Sequence, residues 1–177
     1  LPKQSYSYTA SAKKRSFLLN AKATGGTLSY QSNSKKITVN SKGLVTIKKN
    51  SVDSAVITVT AKGGKYQTVT AGVTVTVKPA KIKKLKVKSS KKKQMTVRWK
   101  KNVLASGTEI QYSKSKKFAR KKTKKKTARA SATKMTIRKV KGTYYVRVRA
   151  FTKVKTGGKS RKLYSSWTAK KRVKIRK

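Results

Sequence analysis

The chain alternates apolar and polar residues at a period of two along almost its whole length. In "KKITVNSKGLVTIKK", Ile37 and Val39 precede a turn at Gly43, and Val45 and Ile47 follow it. "SAVITVTA" and "AGVTVTVKP" continue the alternation, the second through Val73, Val75 and Val77. Beyond Pro79 come "KIKKLKVKSS", "QMTVRWKK", "TEIQYSKS", "TKMTIRKV", "YYVRVRAF" and "SSWTAKKRVKIRK". Short β-branched and aromatic runs separated by Gly, Ser, Asn or Lys turns are spaced as in β-sandwiches. Helical i, i+4 stripes are hard to find, so the expected fold class is all-β.

The alternation has to hold against an extreme charge. Lysine and arginine number 51 against 2 aspartates and glutamates, a formal net charge of +49. Small soluble domains are usually comfortable at a net charge of roughly 2–8. An excess this large costs stability through self-repulsion and favours polyanionic surroundings. Leu, Ile, Val and Phe together make 35 of the 177 residues, about a fifth, where high charge begins to predict disorder. The period-two pattern outweighs that warning, because each strand can bury one face and solvate its lysines on the other.

Pro79, in "TVKPAKIKK", reads as a boundary. Residues 1–79 carry a net charge of +12 and residues 80–177 a net charge of +37. The charge asymmetry and the change of pattern coincide there, which predicts two tandem β-sandwiches. Domains of this size bury only ~60–65% of their unfolded surface. A linker as short as "KPA" is expected to hold the pair semi-rigidly.

The same composition narrows the chemistry. The chain has neither Cys nor His, and its acids are Asp53 and Glu109. A zinc, iron or copper site therefore has almost no ligands to draw on, and no metal or other cofactor is expected. Paired-carboxylate hydrolysis would need both acids in one site. Many Ser–Lys pairs exist, but no spacing singles one out, and no catalytic residue is assigned. No stretch approaches the ~20 apolar residues of a membrane-spanning helix. No signal peptide is evident and the chain starts abruptly at "LPKQS", which reads as a mature or excised segment of a longer protein.

Both halves are similar to known families. "LSYQSNSKKITVNSKGLVTIKK", "SAVITVTA" and "VTVTV", over roughly residues 16–78, resemble the group-2 bacterial immunoglobulin-like domain. The small-Gly turn usual before "ITVTA" is replaced by "NSVDS", so a turn reshaped around Asp53 is expected. The second half resembles a fibronectin type III domain. Trp99 stands where that family places its strand-B core tryptophan, "EIQYS" matches strand C and "YYVRVRAF" matches strand F. Tyr144, Val146, Val148 and Ala150 would face the core, and Tyr145, Arg147, Arg149 and Phe151 would point outward. Tyr144 fits the tyrosine that ties down the E–F corner. Two departures stand out: the loop "KVKGT" is shorter than usual, and Thr108 replaces an expected aromatic. The pairing of these families with a lysine-rich texture implies a cell-surface or cell-wall protein of Gram-positive, gut Firmicutes-type bacteria, in which such modules serve as stalks, spacers or adhesive units.

Two constellations are candidates for function. The first is "RKKTKKKTAR", with Arg120, Lys121, Lys122, Lys124, Lys125, Lys126 and Arg129. In the fibronectin frame it forms the C′ edge strand and its flanking loops. Its lysines can serve as edge protection, or as a strip that binds an anionic polymer without a shaped pocket and with a steep salt dependence; disorder of the run is the third reading. The second constellation is Arg147 and Arg149 on strand F with Trp167 beside them at the start of strand G. It resembles the arginine–tryptophan ladder of cytokine-receptor fibronectin domains, although one tryptophan of that motif is present here. Glu109, next to strand F, is expected to pair with one of the arginines. A structural cation–π role competes with sugar stacking on an exposed Trp167. Tyr112, Phe118, Tyr145, Phe151 and Tyr164 could supply stacking platforms for single-stranded nucleic acid, but no recognition motif accompanies them, so nucleic acid is expected to bind only non-specifically.

The expectation drawn from all of this is a non-enzymatic extracellular attachment module. Its C-terminal domain would bind anionic polysaccharide or wall polymer, either teichoic acid or sulfated and sialylated glycans. The rival expectations are a structural spacer presenting another domain of a longer protein, and an accessory region of an enzyme.

Overall fold

The structure is a computed structural model and describes residues 1–63, 66–156 and 158–177. No α-helix occurs among the described residues, and none of them forms a helix long and apolar enough to cross a membrane. Packing divides the chain into two compact units. One comprises Leu1–Lys78 with Val154–Leu163, the other Pro79–Lys153 with Tyr164–Lys177.

The first unit is built from β1 (Ser5–Thr9), β2 (Arg15–Leu18), β3 (Thr27–Ser32), β4 (Ile37–Val39), β5 (Leu44–Ile47), β6 (Asp53–Gly63) and β7 (Tyr66–Lys78). One sheet has the order β1-β7-β6-β3 and the other β2-β5-β4. The alternating valines and isoleucines meet between them, with Ile37, Val45, Ile57, Val73 and Val75 fully buried. Tyr6 and Tyr8 of β1 pack on Phe17 of β2, with ring centroids 4.5 and 5.4 Å from it, and help close the sandwich edge. Arg15 covers the Tyr8 ring at 4.8 Å. Burial pushes the Tyr8 hydroxyl above the ordinary tyrosine range, partly countered by the Arg15 charge.

Asp53 begins β6 and organises the loop before β4. The Ser34 hydroxyl donates to Asp53 Oδ2 at 2.6 Å and accepts the backbone N–H groups of Lys36 and Ile37. The Ser32 hydroxyl donates to the Ile37 carbonyl. The polar "SNSKK" loop therefore satisfies its own backbone through serine hydroxyls, as short Ser turns commonly do.

The second unit contains β8 (Lys86–Lys88), β9 (Gln94–Arg98), β10 (Gly107–Ser113), β11 (Thr123–Arg129), β12 (Lys134–Arg138), β13 (Thr143–Thr156) as far as Lys153, the last residue of β14 (Lys159–Tyr164), and β15 (Lys171–Lys174). The rest of β13, and β14 as far as Leu163, fall in the first unit although they continue the same strand ladder. Its sheets are β12-β9-β8 and β11-β10-β13-β14, with β15 also paired to β13. Met95, Val97, Ile110, Val146, Val148 and Ala150 are fully buried between them, and Trp99 is 4% exposed. Tyr144 enters this core and tilts against Tyr112 at 5.8 Å. Burial, with Tyr144 adjacent, holds the Tyr112 hydroxyl above the usual tyrosine pKa.

One facing differs from the sequence expectation. Phe151 follows the outward series on β13 yet is 4% exposed. It lies directly opposite Gly107 in the β10–β13 register. A Cβ on Gly107 would come within 2.5 Å of the Phe151 ring and 2.6 Å of the Ala128 carbonyl. The ring fills the space that glycine leaves, and Tyr164 covers it at 6.1 Å. Alternation assigned the correct side of the sheet but could not show that this side is roofed.

Candidate functional site

The outward residues of β10 and β13 are Glu109, Gln111, Tyr145, Arg147 and Arg149. Register sets Glu109 opposite Arg149 and Gln111 opposite Arg147. Arg149 Nη2 donates to both Glu109 carboxylate oxygens, at 3.1 and 3.3 Å. Gln111 Oε1 accepts from Arg147 Nε at 3.0 Å and Nη2 at 2.7 Å, while Gln111 Nε2 donates to Glu109 Oε1 at 3.1 Å. Glu109 is 4% exposed and serves, through Gln111, both arginines. Cross-strand pairing of this kind is the unit of sheet stabilisation.

Above this polar layer the rings and guanidinium groups alternate. Arg147 Cζ lies 4.2 Å from the Phe118 ring centre and 4.3 Å from that of Trp167. Arg149 Cζ lies 4.3 Å from Trp167 and 3.8 Å from Tyr164. The order along the face is Phe118, Arg147, Trp167, Arg149, Tyr164. Each shielded cation–π contact contributes on the order of 1–2 kcal/mol. Burial and the neighbouring Arg149 lower the Arg147 pKa, and Glu109 opposes them. Arg149 Nε is buried without a hydrogen-bond partner among the described residues.

Trp167 reaches this position because the chain between β14 and β15 departs from strand geometry. The Ser165 hydroxyl accepts the Ala150 N–H at 2.9 Å and the Thr168 hydroxyl accepts the Val148 N–H at 3.0 Å. Ser165 and Thr168 return their own N–H groups to the carbonyls of Ala150 and Val148. Side-chain oxygens thus stand in for strand acceptors and satisfy β13 while "SSWT" bulges. Trp167 belongs to this bulge, ahead of β15 rather than in it.

The basic run takes two forms. Arg120–Lys122 make a 3₁₀ turn, and Thr123–Arg129 form β11, the edge of the sheet, paired with β10. Register puts Lys124 and Lys126 opposite Tyr112 and Ile110, on the side of the core, and Lys125 opposite Gln111. All seven cations are exposed, but strand pleating divides them between two faces. Only Ala128 of this strand is buried. Lysines turned toward the open rim of the core deny another strand a place at this edge.

Of the aromatic candidates for nucleic-acid stacking, Tyr112 and Phe151 are core residues and Phe118 is 7% exposed beneath Arg147. Tyr164 is engaged by Arg149. Phe118, Gln111 and Tyr164 belong to the ladder, a role that their sequence positions did not suggest. Phe118 adopts φ of 55°, and this left-handed turn aims its ring back over β13. Among the described residues no group of three or more His, Cys, Asp or Glu is clustered.

No protein-family model matches the chain, and no curated protein matches it in sequence. Solved structures do match in fold. A two-domain fibronectin type III segment from chicken tenascin aligns over 94% of this chain and 94% of that one, with a TM-score of 0.54 and 15% identity. A cytokine receptor complex aligns over 93% of this chain and 92% of that one, with a TM-score of 0.52 and 14% identity. The FN1–FN3 domains of chicken CNTN1 align over 98% of this chain at a TM-score of 0.46 and 14% identity, and the chain spans 63% of their length. At such identities the likeness is one of fold. The chain is an all-β protein of tandem β-sandwiches, and its solved neighbours are fibronectin type III domain proteins.

Proposed function

We propose that this chain is a non-enzymatic, extracellular attachment module of a bacterial surface protein. On this reading the first unit is a bacterial immunoglobulin-like domain, and the C-terminal sandwich binds anionic polymers such as teichoic acid or sulfated and sialylated glycans. One observation carries the reading. The two acids of the chain are both engaged internally, Glu109 by Arg149 and Asp53 by Ser34. The other cations of a +49 chain therefore have no carboxylate of their own to neutralise them. Arg120, Lys121, Lys122, Lys124, Lys125, Lys126 and Arg129 are the exposed strip through which such a polymer is first captured. Loosely held lysines suit capture, because released counterions drive it and no shaped pocket is needed.

The ladder supports a second reading, that of a spacer. Its arginines are spent on Phe118, Trp167, Tyr164 and Glu109, so the broad face of that sheet is internally satisfied rather than poised for a ligand. Affinity of the purified chain for heparin, wall teichoic acid and a neutral glycan across a salt series separates the two. Attachment requires retention of either anionic polymer at physiological salt, and weaker retention when Lys121, Lys122, Lys124, Lys125 and Lys126 become Gln. Equal, negligible binding to all three polymers would leave the spacer.

A further inference from the structure

The sheet on the other side of the C-terminal sandwich presents a second cationic surface. On β8, β9 and β12 the inward residues are Val87, Met95, Val97, Met135 and Ile137, so Lys86, Lys88, Thr96, Arg98, Lys134, Thr136 and Arg138 point outward. Register aligns them in rows. Lys86, Arg98 and Lys134 stand directly opposite one another across three strands, and Lys88, Thr96 and Thr136 form the next row. Like charges placed opposite each other destabilise a sheet. Among the described residues no hydrogen bond or ion pair engages the side chains of Lys86, Lys88, Arg98, Lys134 or Arg138.

The surface is also shaped. A depression of about 340 Å³ is lined by Lys86, Lys88, Ser90, Thr96 and Arg98. A second of about 260 Å³ is lined by Ser90, Lys91, Gln94, Thr96, Thr136 and Arg138. The two share Ser90 and Thr96, so hydroxyls form the middle and cations stand on either side. Adjacent strands lie about 4.8 Å apart and alternate residues about 6.8 Å apart. An oxyanion resting on Thr96 is therefore within reach of donors from three strands.

We infer that this face is a selective seat for the sulfate or phosphodiester groups of a linear glycan-type polymer, distinct from the β11 strip. The inference rests on the polymer-binding function proposed above and locates where its chemical selectivity resides. A tetrahedral oxyanion offers acceptor oxygens in several directions, matching hydroxyl, ammonium and guanidinium donors that converge from different strands. A carboxylate offers two oxygens in one plane and leaves part of that donor set unused. Nucleic acid fits less well, because the face holds no aromatic residue on which a base could stack.

The test compares two variants of equal charge change. One is Lys88→Gln, Arg98→Gln, Arg138→Gln on the face; the other is Lys121→Gln, Lys124→Gln, Lys126→Gln on the strip. Binding is measured to heparin, poly(glycerol phosphate), polygalacturonate and a dT oligonucleotide over a salt series. The native chain should prefer heparin or poly(glycerol phosphate) to polygalacturonate by about tenfold, and the tighter of the two names the source of the anion. The face variant should lose that preference, while the strip variant weakens all polymers alike and keeps it. Thr96→Val, which changes no charge, should reduce the preference and leave the salt slope unaltered. The assignment is overturned if the two triple variants behave identically, if the native chain shows no preference, or if the oligonucleotide binds tightest. Absence of salt-sensitive binding to any polymer instead removes the attachment function itself, and the seat with it.

Discussion

Glu109 and Arg149 face each other across the β10–β13 pair and meet at 3.1 Å, with the carboxylate 5% exposed and the guanidinium 24% exposed. In a chain with a single glutamate this placement is energetically specific. Arg147 stands two residues from Arg149 on the same face, and Gln111 links its guanidinium to the same carboxylate. The one negative charge thus permits two arginines to stack on either side of a single tryptophan. Glu109→Gln keeps the shape and one acceptor but removes that charge. It should cost about 1–3 kcal/mol, the scale for a charged hydrogen bond with a partner left behind. Urea denaturation of the variant reads this directly, and an unchanged midpoint would show the pair to be energetically neutral.

Trp167 touches both guanidinium groups at 4.3 Å, so it couples residues that do not bond to each other. Trp167→Ala should destabilise the fold by about 2–4 kcal/mol, combining two cation–π contacts with lost aromatic burial. A cycle of Trp167→Leu with Arg147→Gln isolates the stacking term. A coupling of about 1 kcal/mol is expected, and additivity within experimental error would reduce Trp167 to an apolar cover.

Gly107 has a steric reason to be glycine that its backbone angles do not reveal. An added methyl would meet the Phe151 ring at 2.5 Å and the Ala128 carbonyl at 2.6 Å. Gly107→Ala should therefore cost about 1–3 kcal/mol through overpacking. Phe151→Leu in the same background should restore only part of the loss, because the Ala128 carbonyl belongs to the paired edge strand and cannot move aside as a ring can. Full restoration would place the whole conflict in the ring.

The strands and their facings were legible because each reports itself within a few residues. Val146, Val148 and Ala150 alternate with Arg147 and Arg149, and burial follows that alternation. The ladder was legible only in part. Phe118 joins it from a loop through a left-handed backbone turn, and Tyr164 through the end of β14, so neither shares a periodic pattern with the arginines. The β8–β9–β12 face was obscured for a related reason. Lys86, Arg98 and Lys134 are far apart in the chain and become a row only through register. A run such as "KKTKKK" draws attention in sequence, yet pleating divides it between two faces. Contiguous charge in sequence and contiguous charge in space are different properties of a sheet.

Tyr112 links the core to pH. Its folded pKa is raised by burial and by Tyr144 beside it. A raised pKa means that the native state holds the phenolic proton more tightly than the unfolded chain does. The resulting stability is complete below the ordinary tyrosine pKa of about 10 and is lost as pH rises through the folded value. The informative quantity is the difference between the native chain and Tyr112→Phe, because it isolates the phenol from every other group. As pH rises from the ordinary tyrosine value of about 10 toward the higher folded one, the native chain should lose stability relative to the variant. A constant difference across that range would mean that the hydroxyl titrates alike in both states.

The charge surplus sets the last expectation. Each sandwich must fold against repulsion among cations that no internal carboxylate neutralises, since Asp53 and Glu109 are already engaged. The range of that repulsion shrinks from about 30 Å at 0.01 M salt to about 8 Å at 0.15 M. Added salt should therefore raise the melting temperature. A gain of about 1 kcal/mol would move Tm by roughly 4–8 °C in domains of this size. Polyanions should act at far lower concentration, because binding to the native state adds its own stabilisation. The row Lys86–Arg98–Lys134 offers a local version of the same effect. Arg98→Thr removes the middle charge and introduces a β-branched residue suited to a strand, and should raise Tm at 0.01 M salt but scarcely at 0.5 M. Scanning calorimetry at both salt concentrations decides the matter. If Arg98→Thr lowers Tm equally at both, the packing of the arginine stem outweighs the repulsion across the row.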